Sequence, residues 1–255
     1  MAAYEHLRYC DELEAEVDRL AAAVNEAELD LFVPTCPEWT VRVLVDHCGG
    51  TLLWGGELVS RRSQARLSGR SLQLSPPDGR SGDPAWLREC GARLLSALRA
   101  ADPDETMWAW GEDQHVRFWS RRMLHEMLVH RVDLLTVSGS SIDVAPEIAA
   151  DCLDEFFVNL RRAAEFSPRV LEIAGGGETI AVQCSDVPDS WTVAMLPRGF
   201  SIVSGAPPTP DVRVTGTARD LMLLFNRRAA LSALPVEIAG DLGVLEGWLD
   251  KSALE

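Results

Sequence analysis

Apolar residues recur at three- and four-residue spacing through the first half of the chain, the period of a helix with one buried face. Leu7, Cys10, Leu13, Val17, Leu20 and Val24 predict an amphipathic helix over 4–27. A proline-bracketed loop is expected at 33–39, after which Thr40 is placed to cap a second helix carrying Val41, Leu44, Val45, His47 and Cys48. Gly49 and Gly50, then Gly55 and Gly56, interrupt that helix, each at about 1 kcal/mol relative to alanine. They serve either close approach of another helix or room for a ligand beside His47. Residues 63–82, rich in Ser, Arg, Gly and Pro, read as a surface connection. Asp83 and Pro84 open a third helix to about residue 100, 102–114 forms a loop carrying Trp108 and Trp110, and a fourth helix spans 119–137. The pattern predicts an up-and-down four-helix bundle with one or two long connections.

After Gly139 the period changes. Pro146 opens a fifth helix to about residue 165, with Ile148, Cys152, Phe156, Val158 and Leu160 among its apolar residues. Short β-branched and apolar runs follow at 170–173, 179–184, 191–196, 200–203 and 212–215, punctuated by Gly and Pro. Gly175, Gly176 and Gly177 read as a turn and not a phosphate loop, because no G-K-[ST] helix start follows them. Helices at 218–225 and 242–249 flank a strand at 236–239. Strands grouped together and then helices predict an α+β chain with an antiparallel or mixed sheet, divided into domains at 1–140 and 141–255.

The candidate chemistry lies in the predicted fourth helix. Glu126 and His130 are four residues apart, so their side chains leave one helical face about 40° from each other. With His47 from a facing helix, three ligands for a divalent metal converge and one coordination position stays open, as in a catalytic rather than a structural centre. Most E-x-x-x-H pairs are only surface helix contacts, so the third ligand carries the argument. His125 and His130 mimic a zinc-protease H-E-x-x-H motif with one residue too many. At about 140° around the helix they cannot chelate one ion from the same face, which leaves His125 as a packing or hydrogen-bonding residue. Cys48 points about 100° from His47, and Cys36 is only a slightly better ligand candidate. Asp133, nearly on the face of Glu126, either orients a ligand or pairs with Arg131 or a neighbouring helix. Trp39, Trp54, Trp108, Trp110 and Trp119 either wall a pocket or anchor core and loops.

Composition narrows the function classes. A formal net charge of -15 argues against a general nucleic-acid or anionic-membrane surface. No apolar run reaches the roughly 20 residues of a membrane helix, and the charged amphipathic start is unlike a secretory signal. Six scattered cysteines without a C-x-x-C pair read as reduced thiols of a cytoplasmic protein.

Several segments together resemble one family. Val33-Pro34-Thr35-Cys36-Pro37-Glu38-Trp39-Thr40-Val41 with Leu44-Val45-Asp46-His47 is similar to a V-P-x-C-P-x-W-x-V-x-x-L-x-x-H opening. Residues 121–133 are similar to an R-x-x-x-H-E-x-x-x-H-R-x-D helix, and 220–228 with 237–241 resemble the end of a C-terminal domain. The family is that of the mycothiol-dependent maleylpyruvate isomerases, related to DinB-like metal-binding bundles. The resemblance implies a DinB-like four-helix bundle followed by a smaller α/β sterol-carrier-like domain. It implies Zn²⁺ or another divalent metal on His47, Glu126 and His130, the trio that helix geometry also nominates. Arg227 falls near a C-terminal arginine implicated in the family's activity, or serves as a cap charge at a helix end. The implied partners are mycothiol as thiol cosubstrate and a small-molecule electrophile, acting on a monomer or homodimer. In that chemistry the metal favours the thiolate, which adds to a cis double bond and is eliminated after rotation, or attacks an electrophile in an S-transferase reaction. A non-catalytic metal-binding or regulatory module and a metal-dependent hydrolase are the alternatives.

Overall fold

The computed structural model describes residues 5–254. Two compact units divide the chain, one ending at Ile142 and the other beginning at Asp143. Among the described residues no helix is long and apolar enough to cross a membrane.

The first unit packs four helices, α1 (His6–Asn25), α2 (Val41–Arg61), α3 (Pro84–Arg99) and α4 (Val116–Ser138). Tyr4, expected to begin α1, lies outside the described residues. Cys10, Leu13, Val17, Leu20 and Val24 form the buried stripe of α1, as their spacing predicts, whereas Leu7 is exposed. Thr40 caps α2 by accepting from the Val43 amide at 3.4 Å, and Asp83 caps α3 by accepting from the Ala85 amide at 2.8 Å with Pro84 behind it. α4 buries residues around most of its circumference, including Met123, Leu124, His125, Met127, Leu128 and Val132. Its buried Arg131 pairs with Glu16 of α1.

Two expectations for this unit are corrected. Residues 33–39 are not a loop: β1 (Phe32–Val33) and β2 (Cys36–Thr40) pair antiparallel with an irregularity between Phe32 and Val33. Nor do the glycines interrupt α2, which runs unbroken. A Cβ on Gly49 would lie 2.1 Å from the Trp86 ring of α3, and one on Gly50 would lie 2.9 Å from the Leu74 carbonyl oxygen. Both hydrogens are there because neighbouring chain lies against the helix.

The second unit sets α5 (Pro146–Asn159), α6 (Ala218–Phe225) and α7 (Leu242–Lys251) with a five-stranded mixed sheet. Its strands are β3 (Thr179–Cys184), β4 (Ser190–Met195), β5 (Phe200–Ser204), β6 (Val212–Gly216) and β7 (Glu237–Gly240), in spatial order β5-β4-β3-β6-β7. Among the described residues only the β3–β6 pair is parallel. Trp191, Val193 and Met195 alternate inward along β4, as do Val212 and Val214 along β6. Phe157 bridges the layers, its ring centroid 5.7 Å from Trp191 and 5.3 Å from Phe225. The α+β class expected from the sequence holds. The strand expected at 170–173 is instead a 3-10 turn, Pro168–Glu172, because Pro168 fixes a helical φ and Leu171 faces solvent. The fifth helix ends at Asn159, and the remaining apolar pattern continues as another 3-10 turn, Arg162–Glu165.

Candidate metal centre

His47 projects from α2 toward α4, where Glu126 and His130 stand one turn apart. Glu126 Oε1 lies 3.3 Å from His47 Nε2 and 3.4 Å from His130 Nε2. All three donor atoms lie within 4.8 Å of one another. Donors at roughly 2.0–2.1 Å from a tetrahedral zinc ion are separated by about 3.3 Å. The two separations from Glu126 Oε1 are close to that edge.

Each donor is oriented from behind. Asp133 Oδ2 accepts from His130 Nδ1 at 2.9 Å, and a carboxylate can only accept, so Nδ1 carries the proton. The Nε2 atom of a neutral His130 is therefore the one left to ligate. Asp133 is itself held by the Thr35 hydroxyl, 2.6 Å from Oδ1, and by Cys36 Sγ, 3.8 Å from Oδ2. The β1–β2 hairpin thus buttresses a residue on α4. Of the two roles open to Asp133, the geometry shows orientation of His130. Trp39, from the same hairpin, covers the imidazoles, with ring centroids 4.6 Å from His47 and 5.9 Å from His130.

Charge favours a cation here. Burial alone pushes the Glu126 carboxyl up, but hydrogen bonds to His130 and His47 and the Arg122 charge outweigh it, holding Glu126 well below the usual carboxylate range. Burial disfavours the His130 imidazolium, yet the Asp133 and Glu126 carboxylates lift its pKa to about 9. Two imidazoles and a carboxylate are a donor set that fits a divalent ion.

Comparison with known proteins identifies the family and the fold. The model of the mycothiol maleylpyruvate isomerase N-terminal domain matches residues 10–135, and that of the family's C-terminal domain matches 143–247. The chain belongs to this family. It is accordingly an isomerase-like enzyme. A crystal structure of the mycothiol-dependent maleylpyruvate isomerase superposes with a TM-score of 0.55 at 15% identity, covering 94% of this chain and 95% of that one. A histidine-to-alanine mutant of a protein with the same name gives 0.57 at 15% identity, with the same coverage. At that identity the likeness establishes the fold. No curated protein matches the chain.

Within this family member, the remaining candidates sort by position. His125 is fully buried in the core. Cys48 is buried too, its thiol pushed well above the usual range by burial and by the Glu126 and Asp133 charges, and neither it nor Cys36 joins the three donors. Trp54, Trp108 and Trp119 form a mutual edge-to-face and tilted cluster, with centroids 5.4–6.1 Å apart. Arg227 belongs to the second unit. It follows α6 with φ 60°, while its own amide donates to Leu224 O and that of Arg228 to Leu223 O. That pair of bonds is a Schellman helix end, with an arginine where glycine usually stands.

A cleft of about 600 Å³ opens beside His47, lined by Gly50, Thr51 and Trp54 of α2 and by Arg66 and Leu74 of the following connection. Asp46 ties that connection down, accepting from the Ser81 hydroxyl at 2.5 Å and the Gly82 amide at 2.7 Å. Gly50 therefore serves close approach and cleft space together. Sequence reasoning passed over Arg122, Thr35, Asp46 and Arg66. Arg122 had a readable signal, standing one turn before Glu126. Thr35 and Arg66 had none, since only the folded chain brings them near the site.

Proposed function

We propose that His47, Glu126 and His130 hold a divalent cation, with Zn²⁺ fitting the donor set, and that the protein uses mycothiol to isomerise a small electrophile. The observation that carries this is the convergence of two imidazole nitrogens on one carboxylate oxygen at 3.3 and 3.4 Å. When bound, the cation supplies the positive charge that keeps a thiol sulfur deprotonated near neutral pH. The chain's own residues do the rest. His130 presents Nε2 because Asp133 holds the proton on Nδ1. Trp39 covers the two imidazoles, and the cleft that His47 helps to line is where a thiol and its partner would approach. Three protein donors would leave a four-coordinate ion room for one further ligand, which a thiol sulfur would supply. No protein nucleophile is required.

We include Arg227, in the second unit, as a residue on which turnover depends. The support is the family resemblance; the left-handed φ of 60° at Arg227 belongs to the helix end. S-transfer from the same thiolate is the neighbouring reaction.

The test pairs elemental analysis with turnover. The purified protein is expected to hold about one divalent ion per chain and to convert a cis-configured electrophile only when mycothiol is present. His130→Ala is expected to lose both the ion and turnover while keeping its helical circular dichroism. Full metal content in that variant refutes the ligand assignment, and turnover that persists without thiol moves the chemistry to hydrolysis.

A further inference from the structure

The two oxygens of Glu126 face different partners. Oε1 points at both imidazoles, whereas Oε2 accepts from Arg122 Nη2 at 3.0 Å, one helical turn earlier on α4. The Arg122 guanidinium is itself bracketed, its Cζ 5.8 Å over the Trp110 ring. Trp110 in turn packs edge-on against Phe118 of α4, with centroids 5.6 Å apart. The Arg122 side chain is only 13% exposed. A flat cation between an aromatic face and a carboxylate has little freedom left, which is how an arginine holds a partner in one orientation.

We propose that Arg122 is a positioning residue that keeps Glu126 a one-oxygen ligand and so preserves the open face of the centre; this rests on the three-ligand reading above. A carboxylate has lone pairs on both oxygens and, if free to turn, offers both to one cation. Both oxygens together would occupy the position left for sulfur. With Oε2 turned to Arg122, Oε1 is the oxygen presented to the imidazoles. The guanidinium adds a second effect. It withdraws charge from the carboxylate and leaves the loaded centre more positive, which favours an anionic sulfur over a neutral water. Arg122 does not touch the thiol in this scheme and acts through Glu126.

The experiment uses the full chain loaded with Co²⁺, whose visible absorption reports coordination number. Wild-type protein is expected to show the intense band of a four-coordinate ion and to shift it on titration with mycothiol. Arg122→Gln is expected to bind Co²⁺ at least as tightly. Its visible band should be several-fold weaker, because Glu126 adds its second oxygen, and at least tenfold more mycothiol should be needed for the shift. Arg122→Lys, which keeps the charge and one donor, is expected to recover most of the band, whereas Arg122→Met, which removes both, is expected to match Arg122→Gln and replaces it if the Gln variant folds poorly. A folded Arg122→Gln or Arg122→Met variant with the wild-type spectrum and thiol affinity would overturn the role of Arg122 while leaving the metal centre standing. Wild-type protein that takes up no Co²⁺ would instead overturn the centre and the proposal with it.

Discussion

At the level of single residues, one hydrogen bond decides which nitrogen of His130 faces Glu126. The Asp133 carboxylate holds the proton on Nδ1 at 2.9 Å, and Thr35 fixes the carboxylate from its other oxygen. Asp133→Asn keeps the shape but removes the charge and introduces a donor beside Nδ1. Metal affinity is expected to fall about 10–100-fold, as measured by competition with a chromophoric chelator; a change within twofold would deny Asp133 this role. Arg227 gives a different kind of test. Arg227→Gly relieves a left-handed backbone and is expected to stabilise the protein by up to about 1 kcal/mol in urea denaturation. Turnover should fall tenfold or more in the same variant. Gain in stability with unchanged turnover would leave Arg227 a helix cap only.

At the level of elements, α2 carries the most varied duties. One side packs on α3 through Gly49, and another lines the cleft through Gly50, Thr51 and Trp54. Gly49→Ala would push a methyl group into the Trp86 ring, so a loss of about 1–3 kcal/mol is expected from chemical denaturation midpoints. An unchanged midpoint would show that α3 yields at this contact. The element readings that failed share a cause. β1 is two residues long, too short to display alternation, and Pro34 and Pro37 carry the loop signature even though Pro37 sits in a strand of a two-stranded sheet. At 170–173 the apolar composition looked strand-like, but Leu171 is 73% exposed, so no sheet face requires it. The i, i+4 pairing of Glu126 with His130 was legible because it needs only one helix. His47 was placed by its own helix but not by any rule that says which face α4 would meet.

At the scale of the whole molecule, ion binding couples to stability and to pH. A ligand that binds only the folded state adds about 2.7 kcal/mol when present at a hundred times its Kd. Removing the ion with a chelator is therefore expected to lower Tm, and readdition of Zn²⁺ to restore it. The pH dependence has a definite sign. In the chelated protein His130 has its pKa raised from 6.5 to about 9, so the stability it contributes is complete below 6.5 and is lost as pH rises through 9. Protons compete with the ion for Nε2, so metal stabilisation grows over that same interval. The Tm gap between loaded and chelated protein should widen from pH 6.5 to 9 in calorimetry. A gap that stays constant would place proton and ion on different atoms.

The sequence by itself determined what depends on neighbours along the chain. That includes the helical stripes, the caps at Thr40 and Asp83, the alternation of β4 and β6, and the shared face of Glu126 and His130, all consequences of period and local hydrogen bonding. Only the tertiary structure decided what depends on contacts remote in sequence. It brought His47 within 3.3 Å of Glu126, set Thr35 and Cys36 behind Asp133, and aligned β6 parallel to β3. Those contacts arise from how whole apolar faces pack together, a property that no short window of residues contains.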